Sequence, residues 1–280
     1  MSNQEELNFA LKFIAEHPQS ANRIIERSSI EAVAGMVAAV PPDYITPMLK
    51  YMMPDYAARL FKILTPEKAS VLLSTMDANA VANILRQVDT ESRNNILKEL
   101  PSYLHKSTEL LLEFPLNTVG AWMSPHLLAV AGDLKCKNVL KYLMAGEKHD
   151  DSEYIFVVDR EGTYLGRTQF LDVLKANENQ LVSTVMDKSC PSLPAQMVLA
   201  QSREHRSWDY FDVLPVTSRE EKLLGILQHH TLRQALKQKQ SVSHEGNKST
   251  DPISSIFEVY GQSLLALLNT VSDAVESEYK

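Results

Sequence analysis

The chain has 280 residues, 44% of them hydrophobic and 22% charged, which is enough for two packed domains of ordinary globular composition. A formal charge of −7 and an isoelectric point near 5.7 leave no basic excess with which to hold nucleic acid or an anionic lipid surface. Cys136 and Cys190 stand without zinc-site or redox-motif spacing and read as reduced intracellular thiols. The start, Met1-Ser2-Asn3-Gln4-Glu5-Glu6, lacks the basic and apolar regions of a secretory signal. The longest uncharged apolar-rich stretch, Val259 to Ser272, has 14 residues, short of the roughly 20 that cross a bilayer. The expectation is a cytoplasmic protein with no transmembrane segment.

Self-similarity dominates the first third. Pro18, Ile30, Pro42, Pro54, Pro66, Ala78 and Thr90 are spaced by 12 residues, and each is followed at its sixth and seventh positions by an apolar pair such as Met36-Val37, Leu60-Phe61 or Ile84-Leu85. Apolar residues at the third, sixth or seventh and tenth positions mark one face of a short helix, and proline suits the first helical turn. Each repeat predicts one helix of two to three turns, too short to stand alone, so the helices must stack into a superhelix ending near Pro101. Pro47 is expected to kink or shorten its helix.

From Thr118 the pattern changes to short β runs between helical ones. Leu127–Val130 predicts a strand, Cys136–Met144 a helix, Tyr154–Val158 a buried strand, Asp159–Gly162 a turn, Tyr164–Arg167 a strand and Thr168–Leu174 a helix. The β-α-β-β-α order then recurs. A strand near Ser192-Leu193 precedes a helix from Ala195 toward Glu204, strands at Phe211–Val216 and Leu223–Leu227, and a helix through Leu236. Tyr154-Ile-Phe-Val-Val-Asp159 with Leu165-Gly166 matches Phe211-Asp-Val-Leu-Pro-Val216 with Leu224-Gly225, and the two resemble a tandem CBS pair. The junction Leu111-Leu-Glu-Phe-Pro115, Thr118-Val-Gly120, Met123-Ser-Pro125 is similar to the join between the helical and CBS domains of the MgtE magnesium-transporter family. The 12-residue repeats fit the same resemblance, which covers about residues 18–238; Ala121-Trp122 depart from the family pattern, and no membrane helices follow.

The resemblance implies an α plus α/β protein. Its parts are a helical superhelix over 1–115, CBS units over 116–177 and 178–238, a flexible linker over 239–251 and a C-terminal amphipathic helix over 252–280. It also implies two kinds of ligand. In nucleotide-binding CBS units a glycine at the last strand, a hydroxyl at the following helix and an aspartate further on hold phosphate and ribose. Gly166, Thr168, Gln169 and Asp172 occupy these places in the first unit, and Gly225, Gln228 and Thr231 in the second. Thr168 lies one residue early as a stand-in for the missing hydroxyl, and Thr231 replaces the carboxylate. For Mg2+, the resemblance implies acidic surfaces of the two domains held together by the ion. The densest acidic cluster is Glu147, Asp150, Asp151 and Glu153, beside His149, and repeat-corner acids such as Asp77 and Asp89 offer an opposing face.

No nucleophile, HExxH or phosphate-loop motif accompanies His149 or the His229-His230 pair, which read as surface histidines. The expected function is therefore a non-catalytic regulatory sensor responding to Mg2+ or an adenine nucleotide and acting on a partner. An accessory subunit of magnesium transport and an inert interaction scaffold, like the repeats of flagellar rotor proteins, are the alternatives. A homodimer through the CBS units is expected. The heptad-spaced Ile253, Phe257, Tyr260, Leu264, Leu267, Val271 and Ala274 mark a helix whose apolar face needs a cover, with packing on its own chain, docking on a second subunit or on a protein or membrane-transporter partner, and lying on a membrane surface as the open alternatives.

Overall fold

The computed structural model describes residues 11–49, 51–144 and 153–241. These fall into two compact units, the first ending at Thr108 and the second beginning at Glu109.

In the first unit residues 11–16 are helical (α1). After them come α2 (Pro18–Ile25), α3 (Ile30–Ala39), α4 (Pro42–Leu49), α5 (Pro54–Ile63), α6 (Pro66–Leu73), α7 (Ala78–Leu85) and α8 (Thr90–Glu99). Every start falls on the repeat register. The register does not stop at Pro101, as α9 (Ser102–Leu112) begins twelve residues after Thr90 and runs across the boundary between the units. The corners have a chemical cause. Ser29, Thr65, Asp77 and Asp89 each precede a helix and accept the backbone N–H three residues on, from Ala32, Lys68, Ala80 and Ser92. Each such cap contributes about 1 kcal/mol. Helix α4 continues through Pro47 and, at eight residues, is as long as α2, α6 and α7. The proline deprives only the Asp43 carbonyl of its helical donor, and Thr46 Oγ1 donates to the Pro42 carbonyl at 2.8 Å.

Helices pack on the helix after next: α2, α4, α6 and α8 form one stack, and α3, α5 and α7 another. The structural repeat is thus a pair of helices, and the fifth position of the sequence repeat records it. In the first stack this position is polar. Asn22 Nδ2 donates to the Tyr51 carbonyl at 3.0 Å, Thr46 Oγ1 lies 2.9 Å from Thr75 Oγ1, and Ser70 Oγ donates to the Glu99 carbonyl at 2.7 Å. Each partner lies 29 residues later, at the end of the next helix in the stack. In the second stack the same position is the buried Ala34, Ala58 or Ala82, where a small side chain lets helix backbones approach.

The second unit contains the β-α-β-β-α order twice. The first copy is β1 (Ala129–Ala131), α10 (Cys136–Met144), β2 (Tyr154–Val158), β3 (Tyr164–Gln169) and α11 (Phe170–Lys175). The second is β4 (Leu193–Pro194), α12 (Leu199–Ser202), β5 (Val213–Thr217), β6 (Leu223–Gln228) and α13 (His229–Ser241). Each makes a three-stranded sheet whose first two strands are parallel and last two antiparallel. One face of the first sheet packs Ile155 and Val157 against Val139 and Val173 of α10 and α11. The other face sets Phe156, Tyr154 and Tyr164 against Val213, Ile226 and Leu223 of the second sheet.

The segments leading into the two sheets are exchanged. Residues before β1 pair with the second sheet: Val119 and Gly120 donate to the carbonyls of Met197 and Ala195, and Ser124 pairs with Ile226. Residues before β4 return to the first sheet, where Val182 and Ser183 donate to the carbonyls of Leu134 and Gly132, and Asp187 pairs with Arg167. This crossing corrects the helix expected from Ala195. Ala195 to Met197 spend their backbone on the strand-like partners Thr217, Gly120 and Val119, so α12 starts only at Leu199. Strand β4 is short because Pro215 of β5 occupies the place of Phe156. The Phe156 N–H bonds the Leu128 carbonyl, whereas proline has no donor to give.

Candidate ligand-binding cleft

The nucleotide expectation rests on β3 and the start of α11. Strand alternation turns Gly166 and Thr168 to one face and Arg167 and Gln169 to the other. Gly166 lies in the middle of the strand, and a Cβ there would stand 2.6 Å from the Asp187 carbonyl oxygen. At the equivalent Gly225 it would stand 2.7 Å from the Ser124 carbonyl oxygen. Both glycines are explained by the crossing segments, which pass too close for any side chain. Thr168 is not placed to meet phosphate: it is buried, and its Oγ1 points to the Val185 carbonyl at 3.4 Å.

Gln169 is exposed and lines a cleft of about 400 Å³ with Leu128, Leu143, Glu153, Tyr154, Ile155, Phe170 and Leu171. The size and the largely apolar, aromatic wall suit a small organic ligand. Asp172 is exposed in the first turn of α11, next to Leu171 but not in the wall. The structure therefore places only one of the four sequence-marked residues, Gln169, against the cleft.

Arg167 carries no motif, and sequence reasoning passes over it. Its guanidinium sits 3.9 Å from the ring centroid of Tyr154 and 4.5 Å from that of Phe211, and donates to the Val213 carbonyl at 3.2 Å. At 6% exposure it pins the first sheet to the second by cation–π contacts, each worth about 1–2 kcal/mol when desolvated. Its strand neighbour Asp187 is held below the usual carboxylate range by the Ser189 side chain and N–H, with a smaller contribution from the Arg167 charge. The only sequence signal for Arg167 is a charge inside an otherwise buried strand.

In the second unit the residue equivalent to Phe170 is His229. Each opens the helix after its sheet, and each donates its N–H to the carbonyl of the residue just before the middle strand of that sheet, Glu153 at 3.2 Å and Asp212 at 2.8 Å. His229 is half-buried rather than a surface group: the indole of Trp208 stacks on it with ring centroids 4.8 Å apart and planes 14° apart. Trp208 Nε1 donates to the Ser202 carbonyl at 2.7 Å. His230, the other member of the pair, is exposed.

For Mg2+, Glu147, Asp150 and Asp151 lie outside the described residues, and Glu153 is exposed at the cleft. Among the described residues no three His, Cys, Asp or Glu side chains converge as a metal site. Asp77 and Asp89 are engaged as helix caps, and Asp89 also pairs with Lys62 at 3.3 Å. Asp159, which follows β2, accepts the N–H groups of Glu161 and Thr163, both at 2.8 Å, and these bonds hold its carboxyl below the usual range. Both thiols are buried, and burial pushes each pKa up, away from the reactive thiolate. The C-terminal amphipathic segment also lies outside the described residues, while residues 239–241 of the expected linker belong to α13. Among the described residues no helix is long and apolar enough to cross a membrane.

Residues 16–117 match the family model of the MgtE intracellular N domain. The structure is similar to the cytosolic domain of the Mg2+ channel MgtE in complex with ATP, at 20% identity and a TM-score of 0.53, covering 76% of this chain and 93% of that one. It is also similar to the soluble part of a magnesium transporter, at 17% identity and a TM-score of 0.56, covering 85% of this chain and 99% of that one. A cystathionine beta-synthase pair domain from Shewanella oneidensis MR-1 aligns at 15% identity with a TM-score of 0.49, covering 60% of this chain and 98% of that one. No curated protein matches the chain. The fold is thus a mostly helical N-terminal region followed by CBS-like mixed sheets, similar to that of the MgtE cytosolic domain.

Proposed function

We propose that this chain, an MgtE intracellular N domain joined to a CBS-like pair, is a cytoplasmic, non-catalytic regulatory protein that binds an adenine-containing ligand in its first CBS unit and answers to Mg2+. The observation that carries the reading is the open cleft walled by Phe170, Tyr154 and Gln169, at the strand–helix junction where the CBS resemblance places a nucleotide. The MgtE cytosolic domain of similar fold was crystallised with ATP, which agrees with this choice of ligand class. Gln169 contributes amide donors and an acceptor, and Asp172 supplies a carboxylate one turn along α11 for ribose hydroxyls. Glu153, with Glu147, Asp150 and Asp151, is the proposed Mg2+-responsive acidic segment. The superhelix over 1–115 and the CBS units over 116–177 and 178–238 then form the sensor, and the helix over 252–280 its output toward a protein or membrane-transporter partner.

The sensor acts as a homodimer through its CBS units. Leu171 and Leu174 share a face of α11 and remain about half exposed, and the apolar side chain at the end of α10, Met144, is almost fully exposed. Sedimentation at tens of micromolar checks this, a dimer being expected.

Thermal-shift titration of the full chain with AMP, ATP and Mg2+ tests the function itself. A ligand bound only by the folded form raises the melting temperature by mass action, by an amount that grows with its concentration. Shifts with an adenine ligand and with Mg2+ are expected. A melting temperature unmoved by millimolar amounts of all three refutes a sensor and leaves an interaction scaffold.

A further inference from the structure

We infer that the second CBS unit carries its own occupant. The Trp208 indole fills the strand–helix junction equivalent to the first-unit cleft, so an adenine ligand does not enter there and the chain takes up ligand in the first unit alone. The equivalence rests on the reading of that cleft as a ligand site, while the plug rests on contacts within the second unit.

Strand register defines the place. Val213 pairs with Gln228 as Tyr154 pairs with Gln169, and His229 donates its N–H to the Asp212 carbonyl as Phe170 does to that of Glu153. Glu153, Tyr154, Gln169 and Phe170 line the first-unit cleft, so Asp212, Val213, Gln228 and His229 are the matching positions of the second. Trp208 stacks on one of them, His229, with ring centroids 4.8 Å and planes 14° apart. Its Nε1 donates to the carbonyl of Ser202 at 2.7 Å, at the end of α12, the counterpart of the helix that contributes Leu143 to the cleft. The indole therefore bridges α12 and α13, as a ligand lying in the cleft would touch α10 and α11. A flat bicyclic ring stacked on an aromatic face has the shape and packing of a bound base.

The ring is held in place from both ends. Trp208 is 9% exposed and belongs to a short 3-10 turn, Arg206–Asp209, in which its own N–H donates to the His205 carbonyl at 3.1 Å. The His205 ring caps the same turn by accepting the Ser207 N–H, and the Phe211 N–H donates to the Ser207 carbonyl at 2.9 Å. A planar base reaching His229 has to expel the indole, which exposes its apolar surface and breaks its bond to Ser202. Because the ring is tethered beside its place, it competes at the high effective concentration of an intramolecular partner. The apparent affinity of a ligand falls by the fraction of time the place stands vacant.

Equilibrium dialysis of the full chain against AMP and against adenosine, with the parent, Trp208→Ala and Trp208→Leu, tests the inference. The parent is expected to bind one ligand per chain, and each folded variant a second. Trp122→Phe leaves Trp208 as the sole tryptophan, and saturating AMP is expected to leave its emission maximum and its quenching by acrylamide unchanged. This reading is taken with Trp208 in place and does not depend on either Trp208 variant folding. Two ligands per chain on the parent, one on the parent with no more on the variants, or a red-shifted Trp208 emission with AMP overturns the plug and leaves the first-unit site standing. No ligand on the parent with one on the variants removes the first-unit site, and the proposed function with it, and leaves Trp208 as the plug. No binding by any of the proteins removes both.

Discussion

The two CBS units share one backbone plan and differ in what fills the strand–helix junction. Both place a glycine where a crossing segment passes, both hold a hairpin turn with one oxygen, and both start the last helix with a ring-bearing residue. The oxygen is the Asp159 carboxylate in the first unit and the Ser218 hydroxyl in the second, and each accepts two backbone N–H groups. The left-handed turn position is Gly162 in the first, at φ 86°, and Glu221 in the second, at φ 61°. The second unit closes its junction with Trp208, and in the first the described residues line a cleft, the segment matching that of Trp208 lying outside them. A duplicated fold can thus keep its scaffold in both halves and vary the junction, because the positions that hold the backbone are separate from those that line the junction.

The sharpest way to break this contrast is to remove the plug. Trp208→Ala takes a buried indole from the second unit and is expected to cost about 3–5 kcal/mol in urea denaturation. Added indole is expected to raise the melting temperature of the variant by more than that of the parent, by refilling the space on His229. A loss below about 1 kcal/mol would show that Trp208 is not the filler.

Next in size are the shared glycines. Gly166→Ala and Gly225→Ala each drive a Cβ to 2.6 or 2.7 Å from a carbonyl oxygen of the main chain, which has no rotamer with which to yield. Each is expected to cost about 1–3 kcal/mol by overpacking, measured in the same way. A large effect at one site only would show that the crossings are not equivalent.

The turn positions sharpen the comparison further. Glu221→Gly relieves a left-handed backbone that costs a non-glycine residue about 1 kcal/mol, so a small rise in melting temperature is expected. Gly162→Ala in the first unit is expected to lower it.

The smallest effect is one of pH. The Asp159 carboxyl titrates below its ordinary value in the folded protein, so its contribution is fully present above the unfolded pKa of about 3.9 and is lost as the pH falls through the depressed folded value. Asp159→Asn should remove that portion of the acid dependence of stability. Ser218 does not titrate, so Ser218→Ala should lower stability equally across the same range. Parallel acid curves for the parent and Asp159→Asn would dismiss the carboxylate's role.

Much of the architecture is legible in the residues because it is local. A cap, a proline at the first turn and an apolar pair on one face each act within a single helix, so the starts of α2 to α8 follow from the 12-residue register. Asp159-Arg-Glu-Gly162 specifies its turn in the same way. The candidate site was far less legible: of Gly166, Thr168, Gln169 and Asp172, only Gln169 reaches the cleft wall. Gly166 looks like a ligand glycine until Asp187 is seen beside it, and Thr168 looks like a hydroxyl donor until strand alternation turns it inward. The pairing of helices into two stacks is written at Asn22, Thr46 and Ser70 against Ala34, Ala58 and Ala82, yet its meaning needs the partners 29 residues away.

The sequence by itself determined the helical register, the doubled β-α-β-β-α order and the chemical character of each turn, since these depend on interactions within a few residues. Only the tertiary structure decided the exchange of the crossing segments, the enclosure of Arg167 between Tyr154 and Phe211, and the stacking of Trp208 on His229. Those outcomes depend on groups from about 20 to more than 100 residues apart being brought within 3–5 Å, and neither composition nor periodicity encodes such a distance.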